Sequence, residues 1–141
     1  LDISFSRKEI VLETFLAKDT VYVLGDKEKY HQVLLNLLIN AMDAVSTKYD
    51  EPFKARVEIS VKIDDYTTGY QGCIEVSDNG SGINEKVKER IFEPFSTTKE
   101  AIKGSGLGLY VSKDLIEKLN GHISVESILG RGSTFRLDLC I

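Results

Sequence analysis

The feature that most constrains the fold of this chain is a long run of apolar residues at helical spacing. Seven apolar side chains recur every three or four residues: Tyr30, Val33, Leu34, Leu37, Leu38, Ala41 and Val45. This period places them on one face of an α-helix. Asp26 can cap its first turn, so the pattern predicts a helix from about Lys27 to Thr47. Such an apolar face must be buried against a second layer.

Strand-like segments are expected to supply that layer. The apolar residues from Val57 to Ile63 alternate with polar ones, which is typical of a strand with one buried face. We predict a short helix capped by Asn84 that runs through Ile91, and a second long helix from about Gly106 to Leu119. The other predicted strands are Ile10–Leu16, Thr20–Leu24, Cys73–Ser77, His122–Ile128 and Thr134–Ile141. The predicted fold is α+β, a two-layer sandwich of a mixed, mostly antiparallel sheet with helices on one face.

Composition excludes several classes of function. A length of 141 residues fits one domain. The net charge of -4 gives no electrostatic support to a nucleic-acid partner. No apolar run approaches the roughly 20 residues that cross a bilayer, so no membrane contact is expected. Cys73 and Cys140 both lie in strand-like runs, and we interpret them as buried thiols in a reducing compartment.

Two polar motifs are candidates for ligand binding. Asn36 and Asn40 lie four residues apart on one face of the first long helix, and Asp43 extends that face. The asparagines are either part of a solvated face or ligands for a hard cation such as Mg²⁺. Asp78-Asn79-Gly80-Ser81-Gly82 follows a strand, where an ordinary turn is the simpler interpretation. A carboxylate there could instead accept a hydrogen bond from an exocyclic amine, with glycines letting a flat ring approach the backbone.

Three further motifs are rich in glycine or aromatic residues. Gly104 to Leu109 opens the second long helix, where backbone amides favour a phosphate. Its spacing matches neither a Walker loop nor a dinucleotide-binding loop. Phe92 to Lys99 is either a surface loop pinned by two buried phenylalanines or a lid with Phe92 and Phe95 as anchors. Gly130 to Thr134 is a predicted hairpin turn.

The order of these motifs resembles the ATP-binding superfamily of gyrase, Hsp90 and the histidine kinases, with the Bergerat ATP-binding fold. His31 to Ala44 resembles the N box, Asp78 to Gly82 the first glycine box and Phe92 to Phe95 the F box. Gly104 to Leu109 resembles the second glycine box, and Gly130 to Thr134 a weaker third one. Within the superfamily, the chain is most similar to the catalytic domain of sensor histidine kinases, with a lid like that of the nitrogen-regulation type.

The resemblance implies roles for individual residues toward ATP and Mg²⁺. Asn40 would ligate Mg²⁺, and Asp78 would accept a hydrogen bond from the adenine amino group. Glycines would shape the adenine pocket and cradle the phosphates, a lysine would add charge, and Thr134 would help to fix adenine. The implied ATP-binding residues are Asn36, Asn40, Asp43, Ala44, Asp78, Gly80, Gly82, Ile83, Thr98, Lys99, Lys103, Gly104, Ser105, Gly106, Leu107, Gly108, Leu109 and Thr134.

Two departures from the family pattern shape the functional hypothesis. Asn36 lies where gyrase-like ATPases carry a glutamate, and an amide cannot take a proton from water. Asp43 lies where histidine kinases often carry a basic residue. No residue is identified as catalytic with certainty, because His31 and His122 both lack the acidic neighbour typical of an acceptor histidine. We interpret both as structural.

The resulting hypothesis is a catalytic domain over residues 1–141, with residues 1–9 as a linker remnant. It would transfer the γ-phosphate of Mg·ATP to a histidine on a separate dimerisation domain, with a response regulator acting downstream. Two alternatives stay open: a free-standing serine kinase of the anti-sigma-factor type, and a nucleotide-sensing interaction module without phosphotransfer. The domain is expected in the cytoplasm, whether or not the intact protein is anchored in a membrane.

Overall fold

The computed structural model describes residues 10–18, 22–48, 54–63, 72–95 and 107–140. Their elements, in chain order, are β1 (Val11–Phe15), α1 (Lys27–Lys48), β2 (Arg56–Ile63), β3 (Gly72–Asp78), α2 (Glu85–Lys88), α3 (Gly108–Lys118), β4 (His122–Ile128) and β5 (Gly132–Leu139). The long helix α1 agrees with its prediction to within one residue. Its first turn is capped as expected, because the Glu28 amide donates to Asp26 Oδ1 at 2.9 Å.

The described strands form one mixed sheet in the order β1-β2-β3-β5-β4. β1 is parallel to β2, and every other neighbouring pair is antiparallel. The carboxyl end of β3 therefore lies beside the amino end of β5, where Asp78 pairs with Ser133. This register brings two of the glycine-containing motifs to the same edge of the molecule.

The core lies between one face of this sheet and the two long helices. On α1, Val33, Leu37 and Val45 are fully buried, and they join one cluster with strand residues such as Val76 and Phe135. Helix α3 contributes Ile116 to the same cluster and packs beside α1. Burying a side chain of this size stabilises the fold by about 1.5–3 kcal/mol. The predicted two-layer arrangement, with helices on one face, is confirmed.

Some predicted elements differ from the structure. Residues 22–24 of the predicted strand Thr20–Leu24 form no strand, and only the Leu24 amide reaches a neighbouring strand end, donating to Cys140 O at 3.2 Å. Gly25, with φ of 135°, turns the chain directly into α1, which leaves no length for a ladder. Helix α2 is shorter than predicted, although Asn84 Oδ1 does cap it by accepting from the Val87 amide at 2.9 Å.

The two cysteines are not paired with each other. Cys73 is buried in β3, and Cys140 is half-buried after β5. Burial raises the pKa of the Cys73 thiol to about 11, because the thiolate would lose its hydration inside the sheet. None of the helices in the described ranges has the length and apolar content needed to cross a membrane.

Candidate functional site

One side of α1 forms the floor of the candidate site. Asn36, Asn40, Ala44 and Lys48 follow one another at intervals of four residues, so they lie along one side of the helix. We call these four residues the α1 stripe. Asn36 Nδ2 donates to Gly108 O at 3.3 Å and to Ser112 Oγ at 3.2 Å. At the other end, Lys48 Nζ donates to Gly80 O at 3.3 Å. The stripe therefore runs from the start of α3 to the loop after β3.

Asp78 begins that loop, which we call the Asp78 loop (residues 78–83). Its side chain is only 9% exposed, and strand alternation places it on the helix-facing side of the sheet with Val76. Asp78 Oδ1 accepts a hydrogen bond from the Gly80 amide at 2.9 Å, and Oδ2 is buried as well. One carboxylate oxygen thus holds the turn, while the carboxylate as a whole lies at the end of the α1 stripe.

The glycines of the Asp78 loop have a different physical role from the one expected. A Cβ added at Gly80 would lie 2.7 Å from the backbone carbonyl of Ala44, and one at Gly82 would overlap the backbone of Ile128. Gly82 also has a φ of 70°, which favours glycine. The protein's own backbone fills the space that these glycines leave. Gly80 and Gly82 therefore let the loop pack tightly against Ala44 and Ile128, and the space beside their Cα atoms is not free for a flat ring.

The β4–β5 hairpin supports the loop from the other side. The Ile83 amide donates to Ser127 Oγ at 2.8 Å, and the Gly130 amide donates to Ser81 O at 2.6 Å. Ser127 Oγ also lies 2.8 Å from Ser133 Oγ. These hydrogen bonds join the Asp78 loop to the β4–β5 hairpin at both Ser81 and Ile83.

Thr134 is not brought together with the other predicted site residues. Its hydroxyl is hydrogen-bonded to Ser77 Oγ at 2.8 Å, and Ser77 and Thr134 are cross-strand partners one residue away from the pair Asp78 and Ser133. Successive strand residues point to opposite faces, so Thr134 faces away from the helices. Ser133, which is buried, lies on the same face as Asp78.

The start of α3 forms the opposite end of the site. Leu107 caps the helix without a side-chain hydrogen bond, and Leu109 packs against the core. A Cβ added at Gly108 would meet no atom of the described residues within 4 Å, so none of these residues blocks the helix start. The predicted site residues Thr98, Lys99, Lys103, Gly104, Ser105 and Gly106 lie outside the described residues, as does most of the predicted lid.

The two phenylalanines expected to anchor the lid differ sharply. Phe92 packs edge-on against the buried ring of Phe135, with ring centroids 6.2 Å apart, and Lys113 Nζ lies 5.9 Å from the Phe92 centroid. Phe95 is 72% exposed and has a φ of 60°. Of the two alternatives, a loop pinned by two buried phenylalanines is therefore wrong for Phe95.

The remaining predicted residues can also be located. Asn40 is half-buried between Asn36 and Ala44 on the α1 stripe. Asp43 is half-buried and lies two helical turns after Asn36, hence on the same side of α1. His31 is exposed near the start of α1, and His122 is exposed at the end of β4 that is distant from the Asp78 loop. Neither histidine belongs to the site.

Sequence reasoning missed Lys48, Ser127 and Ser133. Lys48 continues the spacing of Asn36, Asn40 and Ala44 by one more turn, which is a signal that the period of the helix could have provided. Ser133 could have been found by pairing β3 with β5 and following the alternation from Asp78. The contact of Ser127 with the Ile83 amide depends on tertiary packing, and no local pattern indicates it.

Comparison with curated proteins finds kinases among the relatives of this chain. The chain is 38% identical over 128 residues to sporulation kinase A of Bacillus subtilis (strain 168), an alignment that covers 91% of this chain and 19% of that protein. It is 42% identical over 117 residues to the signal transduction histidine-protein kinase AtoS of Escherichia coli (strain K12), covering 83% of this chain and 17% of AtoS. The chain thus spans about a fifth of the length of these relatives.

Comparisons with solved structures and with protein families give the same result as the comparison with curated proteins. The catalytic domain of histidine kinase ThkA, in a nucleotide-free form, superposes with a TM-score of 0.80 at 27% identity, covering 98% of this chain and 84% of that one. Full-length ShkA in complex with AMPPNP gives a TM-score of 0.77 at 26% identity, covering 95% of this chain and 26% of ShkA. Residues 25–141 match the family described as histidine kinase-, DNA gyrase B-, and HSP90-like ATPase. The chain therefore belongs to this family of ATPases and kinases.

Proposed function

We propose that this chain binds Mg·ATP and is the catalytic domain of a sensor histidine kinase. The observation that carries the proposal is the α1 stripe, which connects a buried carboxylate at one end with the start of α3 at the other. A nucleotide needs both kinds of group, one for its base and one for its phosphates. The family membership and the kinases among the relatives support the same conclusion.

The adenine base would lie at the Asp78 loop. A carboxylate accepts hydrogen bonds and so selects the exocyclic amino group of adenine, where guanine carries a carbonyl oxygen. Asp78 is buried and fixed by the Gly80 amide, so its orientation is set in advance. Ser133, on the same face of the sheet, is a better candidate than Thr134 for the hydroxyl that assists Asp78.

The triphosphate would lie at the amino-terminal end of α3. Unpaired amides and the helix dipole favour anions there, and Gly108 leaves the approach open. Gly104, Ser105 and Gly106 are proposed to continue this cradle. Lys99 or Lys103 is proposed to add positive charge, since Asp43 offers none at its own position.

Asn40 is the proposed Mg²⁺ ligand. Its amide oxygen is a hard donor, and it lies on the α1 stripe between the base end and the phosphate end. Mg²⁺ in nucleotide sites is held by one or two protein groups together with phosphate oxygens, so a single asparagine fits. When bound, the ion would neutralise charge on the phosphates. Asn40 would position it, and Asp43 would act through water.

Asn36 favours phosphoryl transfer over hydrolysis. Its Nδ2 donates to Gly108 O and Ser112 Oγ, and an amide cannot act as a general base for water. The site therefore holds ATP until an acceptor is presented in line with the γ-phosphate. We propose that the acceptor is a histidine on a dimerisation domain and that a response regulator receives the phosphate from it. The histidines of this chain lie away from the site.

A chimaera tests this proposal most sharply. When this chain replaces the corresponding domain of AtoS, incubation with γ-labelled ATP is expected to label the chimaera with acid-labile phosphate, whereas the chain alone stays unlabelled. A matched chimaera with Asn40→Ala is expected to lose the label because Mg²⁺ is no longer held. Binding of ATP without any transfer would favour a nucleotide-sensing module. Acid-stable labelling of serine or threonine on an added protein would favour the anti-sigma-factor type of kinase.

A further inference from the structure

Lys48 connects three separate segments of the chain at the base end of the site. It lies in the last turn of α1, where the helix dipole favours a cation. Its Nζ donates to Gly130 O at 2.8 Å, to Asn79 O at 3.3 Å and to Gly80 O at 3.3 Å. An ammonium group has three N–H donors, so it can donate to carbonyl oxygens of different segments at once.

Each of the segments that Lys48 joins contributes to the proposed adenine pocket. Asn79 and Gly80 directly follow Asp78, whose carboxylate is oriented by the Gly80 amide at 2.9 Å. Gly130 belongs to the β4–β5 turn, and the Gly130 amide donates to Ser81 O at 2.6 Å. The ammonium therefore holds the Asp78 loop between the end of α1 and the hairpin.

Lys48 is badly placed to act on the phosphates themselves. It lies 12 residues after Asn36 on α1, which is about 18 Å along the helix axis. Asn36 contacts the first residue of α3, the proposed phosphate end. A side chain directed to the carbonyl oxygens of the Asp78 loop is thus separated from the phosphate end by most of the α1 stripe.

We propose that Lys48 is a positioning residue that sets the nucleobase selectivity of this site. This inference rests on the proposed function. The ammonium holds carbonyl oxygens of the Asp78 loop against that of Gly130 in the β4–β5 turn, and the loop in turn fixes the carboxylate that distinguishes adenine from guanine. Without the ammonium, the Asp78 carboxylate has more orientations available, and the preference for adenine decreases while the phosphate end is unchanged.

The test measures the affinities of the chain for ATP, GTP and inorganic tripolyphosphate by calorimetry, well below the unfolding temperature. Lys48→Met keeps much of the aliphatic length of the side chain and removes the three N–H donors of the ammonium group. We expect its ATP affinity to fall about tenfold, as for the loss of hydrogen bonds to a charged group. The ATP:GTP affinity ratio should fall by a similar factor, and the tripolyphosphate affinity should stay the same. Lys118→Met is the matched control, since Lys118 also ends a helix but pairs with Asp114 of its own helix.

Lys48→Arg separates positioning from charge. Arginine keeps the charge but presents a planar fork instead of a compact ammonium, so we expect only partial recovery of the ATP:GTP ratio. An unchanged ratio in Lys48→Met would overturn the inference, as would an equal loss of tripolyphosphate affinity, which would indicate charge attraction. If Lys48→Met does not fold, Lys48→Arg is compared with the unmutated chain. A lower ATP:GTP ratio in Lys48→Arg then supports the inference, and an unchanged ratio overturns it. Equal binding of ATP and GTP by the unmutated chain would instead refute the proposed function.

Discussion

Gly80 and Gly108 lie at opposite ends of the site, and an added methyl group would have opposite effects. In Gly80→Ala the new Cβ would lie 2.7 Å from the Ala44 backbone, and such overpacking costs about 1–3 kcal/mol of stability. In Gly108→Ala the methyl group meets none of the described residues at a helix start, so stability should rise by about 0.4–1 kcal/mol. Its ATP affinity should nevertheless fall, because the methyl group occupies the approach to the helix amides. Urea unfolding and calorimetry check both changes; a Gly108→Ala variant with undiminished ATP affinity would exclude phosphate binding there.

Asp78 carries the prediction on base selectivity. Asp78→Asn keeps an oxygen for the Gly80 amide but replaces the second acceptor by a donor. We expect the preference for ATP over GTP to fall by about 1–3 kcal/mol, as measured by calorimetry with both nucleotides. Glu126→Gln, an exposed carboxylate on β4, serves as the control and should retain the preference. If Asp78→Asn retains it too, Asp78 does not recognise the base.

Some individual residues could be predicted from the sequence and others could not. The positions of Asn40 within α1 and of Asp78 at the end of β3 agree with the sequence patterns, whereas their roles toward a nucleotide stay predictions. Ser133 and Thr134 are adjacent hydroxyl residues, and a shift of one position along a strand reverses the face. Only the register of β3 with β5 shows which of them lies beside Asp78.

At the scale of secondary-structure elements, one polar side chain adds to the apolar contact between α1 and α3. Asn36 joins the two helices through Gly108 O and the fully buried Ser112. Asn36→Ala should lower the free energy of unfolding by about 1–2 kcal/mol, since two hydrogen bonds are lost. Urea unfolding measures this, with Gln32→Ala, an exposed change one turn earlier, as the control. Equal midpoints for the two variants would show that Asn36 does not join the helices.

Elements with strong periodicity were predictable, and short ones were not. The bounds of α1 and β2 follow from long apolar patterns that tertiary packing reinforces. Residues 22–24 carry strand-forming side chains, yet they form no ladder because Gly25 turns the chain into α1 at once. Local propensity cannot reveal whether a sheet edge is within reach, so tertiary context overrides it.

At the scale of the whole molecule, Cys73 couples stability to alkaline pH. Its pKa is raised to about 11 by burial, from 9.0 for a free thiol. Between these values the unfolded chain loses the thiol proton while the folded chain keeps it, so the free energy of unfolding falls as pH rises. From pH 8 to pH 10 the unmutated chain should lose roughly 1 kcal/mol more than Cys73→Ala does. Urea unfolding under reducing conditions measures this, and parallel pH profiles would contradict it.

The central claim is that one nucleotide spans the site from the Asp78 loop to the start of α3, and chemical-shift mapping tests it most directly. Adding Mg·AMPPNP to the ¹⁵N-labelled chain should shift the backbone amides of residues 78–83, those of Gly108 and Leu109, and the side-chain amide of Asn40. The amides of Ser124 and Glu126, on the edge strand β4, should stay unchanged. Shifts at one end of the α1 stripe only, or shifts concentrated on β4, would contradict this account.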